Sequence, residues 1–293
     1  MKKIPFLIPL LLSSLISEEE LLTETYQFPV DDIKQLDVSM EYGIGELVIE
    51  ANPNQDQIEG SIIYHPDRTT PKVDYKSFGK KGKLKVKVVS NKDWENDRER
   101  TFHIKDWIGI KNDDLNSKTI FRLPQKVPTD IKLELGLGKA EIDLSNLTLS
   151  NLDLECGLSE VRLVVRTLNP IRCRKVSIES GLSDFNAEGL GNLRPEHINI
   201  EVGLGSAYID LTGEMVDDIE GNIEVGLGDI DLILSNNANV ELEIEKSFLS
   251  DVDVAGLIKK DDKWVSPHWD KNLPTIEMGI SVGLGDVDVN LRD

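Results

Sequence analysis

The 293-residue chain carries 53 acidic against 33 basic side chains, a formal net charge of -20. Such an acidic balance excludes nucleic acid as a partner, because phosphate backbones are held by basic footprints. Hydrophobic residues make up 39% but aromatic residues only 5%, which suits a narrow interior of Val, Ile and Leu in one large all-β unit or two domains.

In chain order, Lys2 and Lys3 precede an apolar run from Ile4 to Ile16 and the acidic Glu18-Glu19-Glu20. A basic start followed by roughly 7–15 apolar residues predicts a secretory signal over 1–17, with an uncleaved membrane anchor as the alternative. The run is short of the ~20 apolar residues of a comfortable membrane span, and no Cys follows it to carry a lipid. Export places the protein in the periplasm, the cell envelope or the extracellular space. Residues 24–130 read as an irregular β-rich N-terminal cap. Alternation over 36–40, 47–49, 58–64 and 83–89 predicts strands, and Pro66, Pro71, Gly79, Gly82 and the polar stretch from Ser90 to Arg100 mark loops.

From residue 131 to 293 one short pattern recurs: alternating apolar residues, Gly-Leu-Gly or Gly-Leu-Ser, then alternating apolar residues again. The turns fall at 136–138, 157–159, 181–183, 203–205, 226–228, 248–250 (here Phe248-Leu249-Ser250) and 283–285, and Gly43-Ile44-Gly45 stands alone upstream. Successive turns lie 21, 24, 22, 23, 22 and finally 35 residues apart. A constant period in this range predicts a parallel β-solenoid (β-helix) of about seven 21–24-residue repeats. Apolar parity flips across each turn, as from Ile198, Ile200 and Val202 to Ala207, Ile209 and Leu211, so both strands keep one side inward. The Leu within each turn, from Leu137 to Leu284, shares the parity of the strand before it and is expected inside as an apolar spine. Gly136, Gly157, Gly181, Gly203, Gly226 and Gly283 are the structural turn residues, expected to need positive φ or close backbone approach. The long final gap holds an insertion at 255–275 with Trp264 and Trp269. It is expected to fold back as a cover over the open rung beyond Leu291, with an exposed sugar-binding platform as the alternative.

These turns and strands resemble the bacterial toast-rack family, related to putative-adhesin repeat domains and to the C-terminal domain of cell-wall-active antibiotic response proteins. The resemblance runs from about residue 34 to the end. It is carried by Met40-Glu41-Tyr42-Gly43-Ile44-Gly45-Glu46-Leu47, by the stretch from Val127 to Gly138, and by Ser281-Val282-Gly283-Leu284-Gly285-Asp286-Val287. It implies a β-solenoid of the bacterial envelope with no catalytic residues to carry over.

The residues themselves offer little chemistry. A dinucleotide fingerprint needs a third Gly and a following helix, whereas a strand follows each Gly-Leu-Gly, so no nucleotide is expected. His65, His103, His197 and His268 are scattered without ligand spacing, and Cys156 and Cys173 cannot form a zinc site alone. No catalytic, cofactor or metal residue is assigned. Glu134, Glu155, Glu179, Glu201 and Glu224 form one predicted outward column, and Glu160, Asp184, Asp229, Asp251 and Asp286 a second. A solvated acidic face is the plain reading, and weak divalent cation binding across rungs the sharper one. A basic island of Arg162, Arg166, Arg172, Arg174 and Lys175 is expected to pair locally, while Arg162, Arg172, Arg174, Trp264 and Trp269 are the candidate partner surface. The expected function is therefore non-enzymatic: a binding or adhesin-like surface for an envelope protein or polysaccharide. A carbohydrate-active β-helix enzyme, such as a polysaccharide lyase, is the alternative.

Overall fold

The computed structural model describes residues 21–54, 56–91, 117–247 and 250–292. The segment 1–17 read above as a secretory signal, His103, Trp94, Trp107, most of the polar stretch 90–100 and the residues Phe248 and Leu249 lie outside them. Within the described residues the regular structure is almost entirely strand, with a 3-10 turn at Leu190–Leu193.

The strands in order are β1 (Leu22–Pro29), β2 (Gln35–Ala51), β3 (Gln57–Tyr64), β4 (Lys72–Phe78), β5 (Lys81–Val88), β6 (Lys118–Leu123), β7 (Thr129–Asp143), β8 (Leu149–Val164), β9 (Cys173–Leu182) and β10 (Asp184–Glu188). They continue with β11 (Pro195–Asp210), β12 (Ile219–Ser235), β13 (Asn239–Lys246), β14 (Ser250–Val254), β15 (Ile258–Lys260), β16 (Lys263–Val265) and β17 (Thr275–Arg292). Alternating apolar residues put one side of each long strand into the interior. In β7 the buried residues are Ile131, Leu133 and Leu135 before the bend at 136–138, then Ala140 and Ile142 after it. Each long strand thus has two arms whose inner faces share one core, running from Val30 to Val289.

Both arms stack in parallel. Before the bends the register aligns Glu41, Glu134, Glu155, Glu179, Glu201 and Glu224. After them it aligns Leu47, Ala140, Val161, Phe185, Ala207, Ile230 and Val287. Near-equal repeat lengths make this possible, since from β7 to β12 each return segment brings the chain back beside the strand before it. Buried Leu144, Leu147, Leu190, Leu193 and Leu211 on those returns enclose the interior.

Buried asparagines tie the returns together. Asn169 accepts from Leu149 N–H at 2.9 Å and donates to the carbonyls of Leu149 at 2.7 Å and Leu193 at 3.2 Å. Asn239 does the same for the insertion, donating to Asp270 and Leu273 carbonyls and accepting from Asp270 N–H. Asn169→Ala leaves buried backbone groups unpaired and should cost about 2–4 kcal/mol, read as a lower urea midpoint.

The ends depart from simple succession. At the start, β2 lies between the β5–β6 rung and β7 rather than at the edge. At the finish, β17 pairs with β12 on one side and with β13 and β14 on the other. The rung ending at Leu291 is therefore flanked on both sides; of the insertion expected to cap it, Gly256 at its start lies against Leu291, but its strands cover a different rung. The insertion instead makes the antiparallel pair β15–β16, and β16 adds antiparallel to β13, with Trp264 opposite Leu242. At the other end β4 adds antiparallel to β5, and β3 to β6. On each outermost rung a reversed strand thus covers at least one arm, β13 at one end and β5 and β6 at the other, which interrupts a continuous parallel edge open to further pairing.

The strain at the bends also falls elsewhere than expected. Gly203 keeps a φ outside the left-handed region; a Cβ there would stand 2.7 Å from the Gly181 carbonyl oxygen of the neighbouring rung, so close approach is its whole requirement. Positive φ belongs to the second turn glycine, as at Gly228 (φ 149°). Gly136, Gly157, Gly181, Gly226 and Gly283 likewise have φ outside that region. Where Ser fills the second place, at Ser159, Ser183 and Ser250, φ is not positive either, so the rungs of Ser159 and Ser183 bend differently. There the hydroxyls of Ser180 and Ser183 bond to each other.

Candidate binding surface

The inward leucine spine does not exist. Leu182, Leu204, Leu227 and Leu284 are 50%, 41%, 44% and 39% exposed, and Leu137 and Leu158 are half-buried. Leu249 lies outside the described residues. The physical reason is the corner itself. Val202 and Ala207 are the last and first inward residues around one bend, and the backbone turning between them throws the middle side chain to the convex side. Parity counted along a straight strand fails where the strand bends.

The result is a ridge. Strand pairing aligns Leu182, Leu204, Leu227 and Leu284, and likewise Ile44, Leu137 and Leu158. At ~4.8 Å per rung the side chains form a nearly continuous apolar line. Carboxylates flank it on both sides: Glu179, Glu201 and Glu224 before the bends, giving way to Ser281 on the Leu284 rung, and Asp184, Asp229, Asp286 and Asp251 after them, interrupted by Ser206 on the Leu204 rung.

Charge along these columns is uneven. Toward the chain start the carboxylates are neutralised: Lys132 lies 2.7 Å from Glu155, 3.4 Å from Glu134 and 3.7 Å from Asp153, and Lys139 lies 2.5 Å from Glu160. The hydrogen bond to Glu155 holds the Lys132 ammonium well above its ordinary pKa. Toward the other end Asp229, Asp231, Asp286, Asp288, Asp251 and Asp253 occupy two adjacent columns on three rungs. Desolvation first, then the fields of Asp231, Asp253, Asp286 and Asp229, raise the Asp288 carboxyl above its usual range. Among the described residues, no group of three or more His, Cys, Asp or Glu side chains is arranged to hold a metal ion.

The basic island is dispersed into local pairs. Arg162 lies 2.9 Å from Glu188, Arg166 2.5 Å from Asp143, and Arg174 3.9 Å from Asp130, while Arg172 donates to the Asp218 carbonyl at 2.7 Å. Arg172 and Arg174 meet Lys34 and Gln35 around a shallow dent; Arg162 is not part of it. The two tryptophans are also separated in role. Trp264 packs partly against the core, with the Lys259 ammonium 5.7 Å from its ring, whereas Trp269 is 52% exposed. Cys156 and Cys173 are free and buried, and burial pushes both thiols up to about 12; neither can act as a nucleophile near neutrality. His65 is buried, His268 exposed, and His197 exposed with its ring 3.6 Å from Glu220.

Sequence reasoning placed the acidic columns but missed the ridge between them. The available signal was that each Leu stands between two small residues, where nothing shields it from solvent.

Residues 16–184 match the family model described as the N-terminal domain of toast_rack, DUF2154. No curated protein matches. Among solved structures, a "putative cell adhesion protein" from Clostridium sporogenes is 19% identical, with 93% of this chain and 100% of that one covered at a TM-score of 0.47. A "putative adhesin" from Bacteroides fragilis is 13% identical over 93% and 98% (TM-score 0.40). A second, from Parabacteroides distasonis, is 10% identical over 92% and 97% (TM-score 0.32).

Proposed function

The chain belongs to the toast-rack N-terminal-domain family, and on that premise we propose that it is a non-enzymatic protein of the bacterial envelope. In this reading its rungs form a β-solenoid whose outer surface binds a partner protein or a cell-wall polymer. The observation that carries the proposal is the ridge: four aligned leucines, each 39–50% exposed, bordered by two acidic columns. Scattered exposed apolar side chains are ordinary, but a contiguous apolar line rimmed by charge marks an interaction surface. The basic segment and apolar run at 2–16 support export.

A lyase acting on acidic polysaccharide needs basic side chains gathered in a groove to hold its substrate. The arginines here are spent on local carboxylates and carbonyls, and the ridge is bordered by acid. That favours binding over turnover.

The test uses the immobilised chain and envelope extract. Leu204→Ser with Leu227→Ser should abolish capture of the partner while moving stability by no more than about 0.5 kcal/mol per site, as for other surface changes. Unaltered capture by the double variant overturns the ridge as the binding surface. Turnover of any uronate polymer by the purified protein overturns the non-enzymatic reading.

A further inference from the structure

We propose that the β4–β5 hairpin is a docking face for an anionic lipid surface. Residues 72–87 hold seven lysines and one acidic residue, Asp74, in a chain of net charge -20. The antiparallel register sets Lys72 opposite Lys87, Lys76 opposite Lys83, Asp74 opposite Lys85 and Phe78 opposite Lys81. Opposite residues in such a pair share a face, and the inward side is taken by Leu84, Val86 and Val88. Six lysines and Phe78 therefore stand together on the outward side.

Like charges placed directly across a ladder destabilise it, and this hairpin has two such lysine pairs. Some of the charge is compensated: Lys76 pairs with Asp74, Lys81 with Asp37 at 2.8 Å, and Lys87 with Glu41 at 3.1 Å. Exposed Lys83 and Lys85 have no carboxylate within ion-pair distance among the described residues. At the hairpin tip Phe78 is 73% exposed, the most exposed large apolar side chain among the described residues. It precedes Gly79, at φ 58°, in the turn.

Three features single out a lipid surface as the occupant. All the cations are Lys, a flexible point charge suited to a diffuse anionic field, with none of the planar Arg forks that match one carboxylate or phosphate. An exposed aromatic ring beside the cations has a place at a bilayer interface that a soluble polyanion does not offer. The aspartate columns lie at the opposite end of the stack, so an anionic surface would repel that end and orient the molecule hairpin-first. The hairpin also adjoins β1, which follows the N-terminal apolar run: the rings of Phe28 and Tyr75 are 5.2 Å apart.

The full chain is floated with vesicles of phosphatidylcholine alone or mixed with phosphatidylglycerol. The apolar run contributes equally to both, and the triple lysine variant below separates the hairpin from Lys2 and Lys3. Phosphatidylglycerol should strengthen partitioning by about one to two orders of magnitude. The gain should vanish between about 0.1 M and 1 M salt, as the screening length falls from ~10 Å to ~3 Å. Lys76→Gln with Lys83→Gln and Lys85→Gln should abolish it. Phe78→Ser should weaken vesicle binding several-fold without changing binding to soluble polyphosphate. A wild-type chain indifferent to phosphatidylglycerol, or a triple variant that keeps the preference, overturns the proposal. So does a Phe78→Ser chain that binds vesicles as wild type does, which would assign the lysines to a soluble polyanion. The Leu204/Leu227 double variant should keep its lipid preference, so this inference and the ridge reading fail independently.

Discussion

A chain ending at Pro274 is expected to lose cooperative folding altogether. Its missing strand, β17, is not an outer rung: it pairs with β12 from Ile219–Ile276 to Ser235–Arg292, and on its other side with β13 and β14. Ile276, Met278, Ile280, Val282, Val287 and Val289 would leave the core, all 0–3% exposed in the intact protein. At ~1.5–3 kcal/mol each their burial contributes roughly 9–18 kcal/mol, which matches or exceeds the whole stability of an ordinary domain, about 5–15 kcal/mol. Both flanking ladders would also lose their hydrogen-bond partners. Urea denaturation of the truncated chain should show no cooperative transition, and limited proteolysis should cleave within 219–254. A sharp transition with the wild-type slope would mean that β13 and β14 close directly onto β12, and would sink the idea that β17 is indispensable.

Gly228→Ala should be the most damaging single methyl group. Two costs coincide there. The backbone sits at φ 149°, in a region open essentially to Gly and costing other residues about 1–3 kcal/mol. A Cβ would also stand 1.8 Å from the Gly205 carbonyl oxygen, inside any tolerable contact, so the two rungs must part. A loss of about 3 kcal/mol or more is expected, read as a lower urea midpoint. Gly79→Asn is the control: its φ of 58° is the left-handed region that Asn tolerates, and a Cβ there would meet no other atom within 4 Å. It should change stability by less than about 0.5 kcal/mol. Equal losses at both sites would show that positive φ alone, without rung contact, explains the turn glycines.

Much of this molecule was written locally. Alternation with a parity flip at each Gly-Leu-Gly determined two-armed strands, and the near-constant period determined that arms one repeat apart lie side by side. The acidic columns followed from the same arithmetic, since neighbours in register superimpose equal positions. Lysines alternating at 83, 85 and 87 were equally plain, but as one strand face only. That Lys72, Lys76 and Phe78 join them depends on the β4–β5 pairing.

The tertiary structure decided what a repeating pattern leaves degenerate. Ile223, Ile280 and Ile244 occupy the same place on three successive rungs, and nothing local says which of β13 and β17 should follow β12. The interchange follows the capping it permits: the short insertion can reverse onto β13, while β17 is left flanked on both faces. Parity pointed the turn leucines inward and was wrong, because a bend of the backbone, absent from any linear count, sets which side of the corner is outside. Strand identity and pairing of like with like are properties of neighbours in sequence; order among equivalent rungs, and the outside of a corner, are properties of the closed shape.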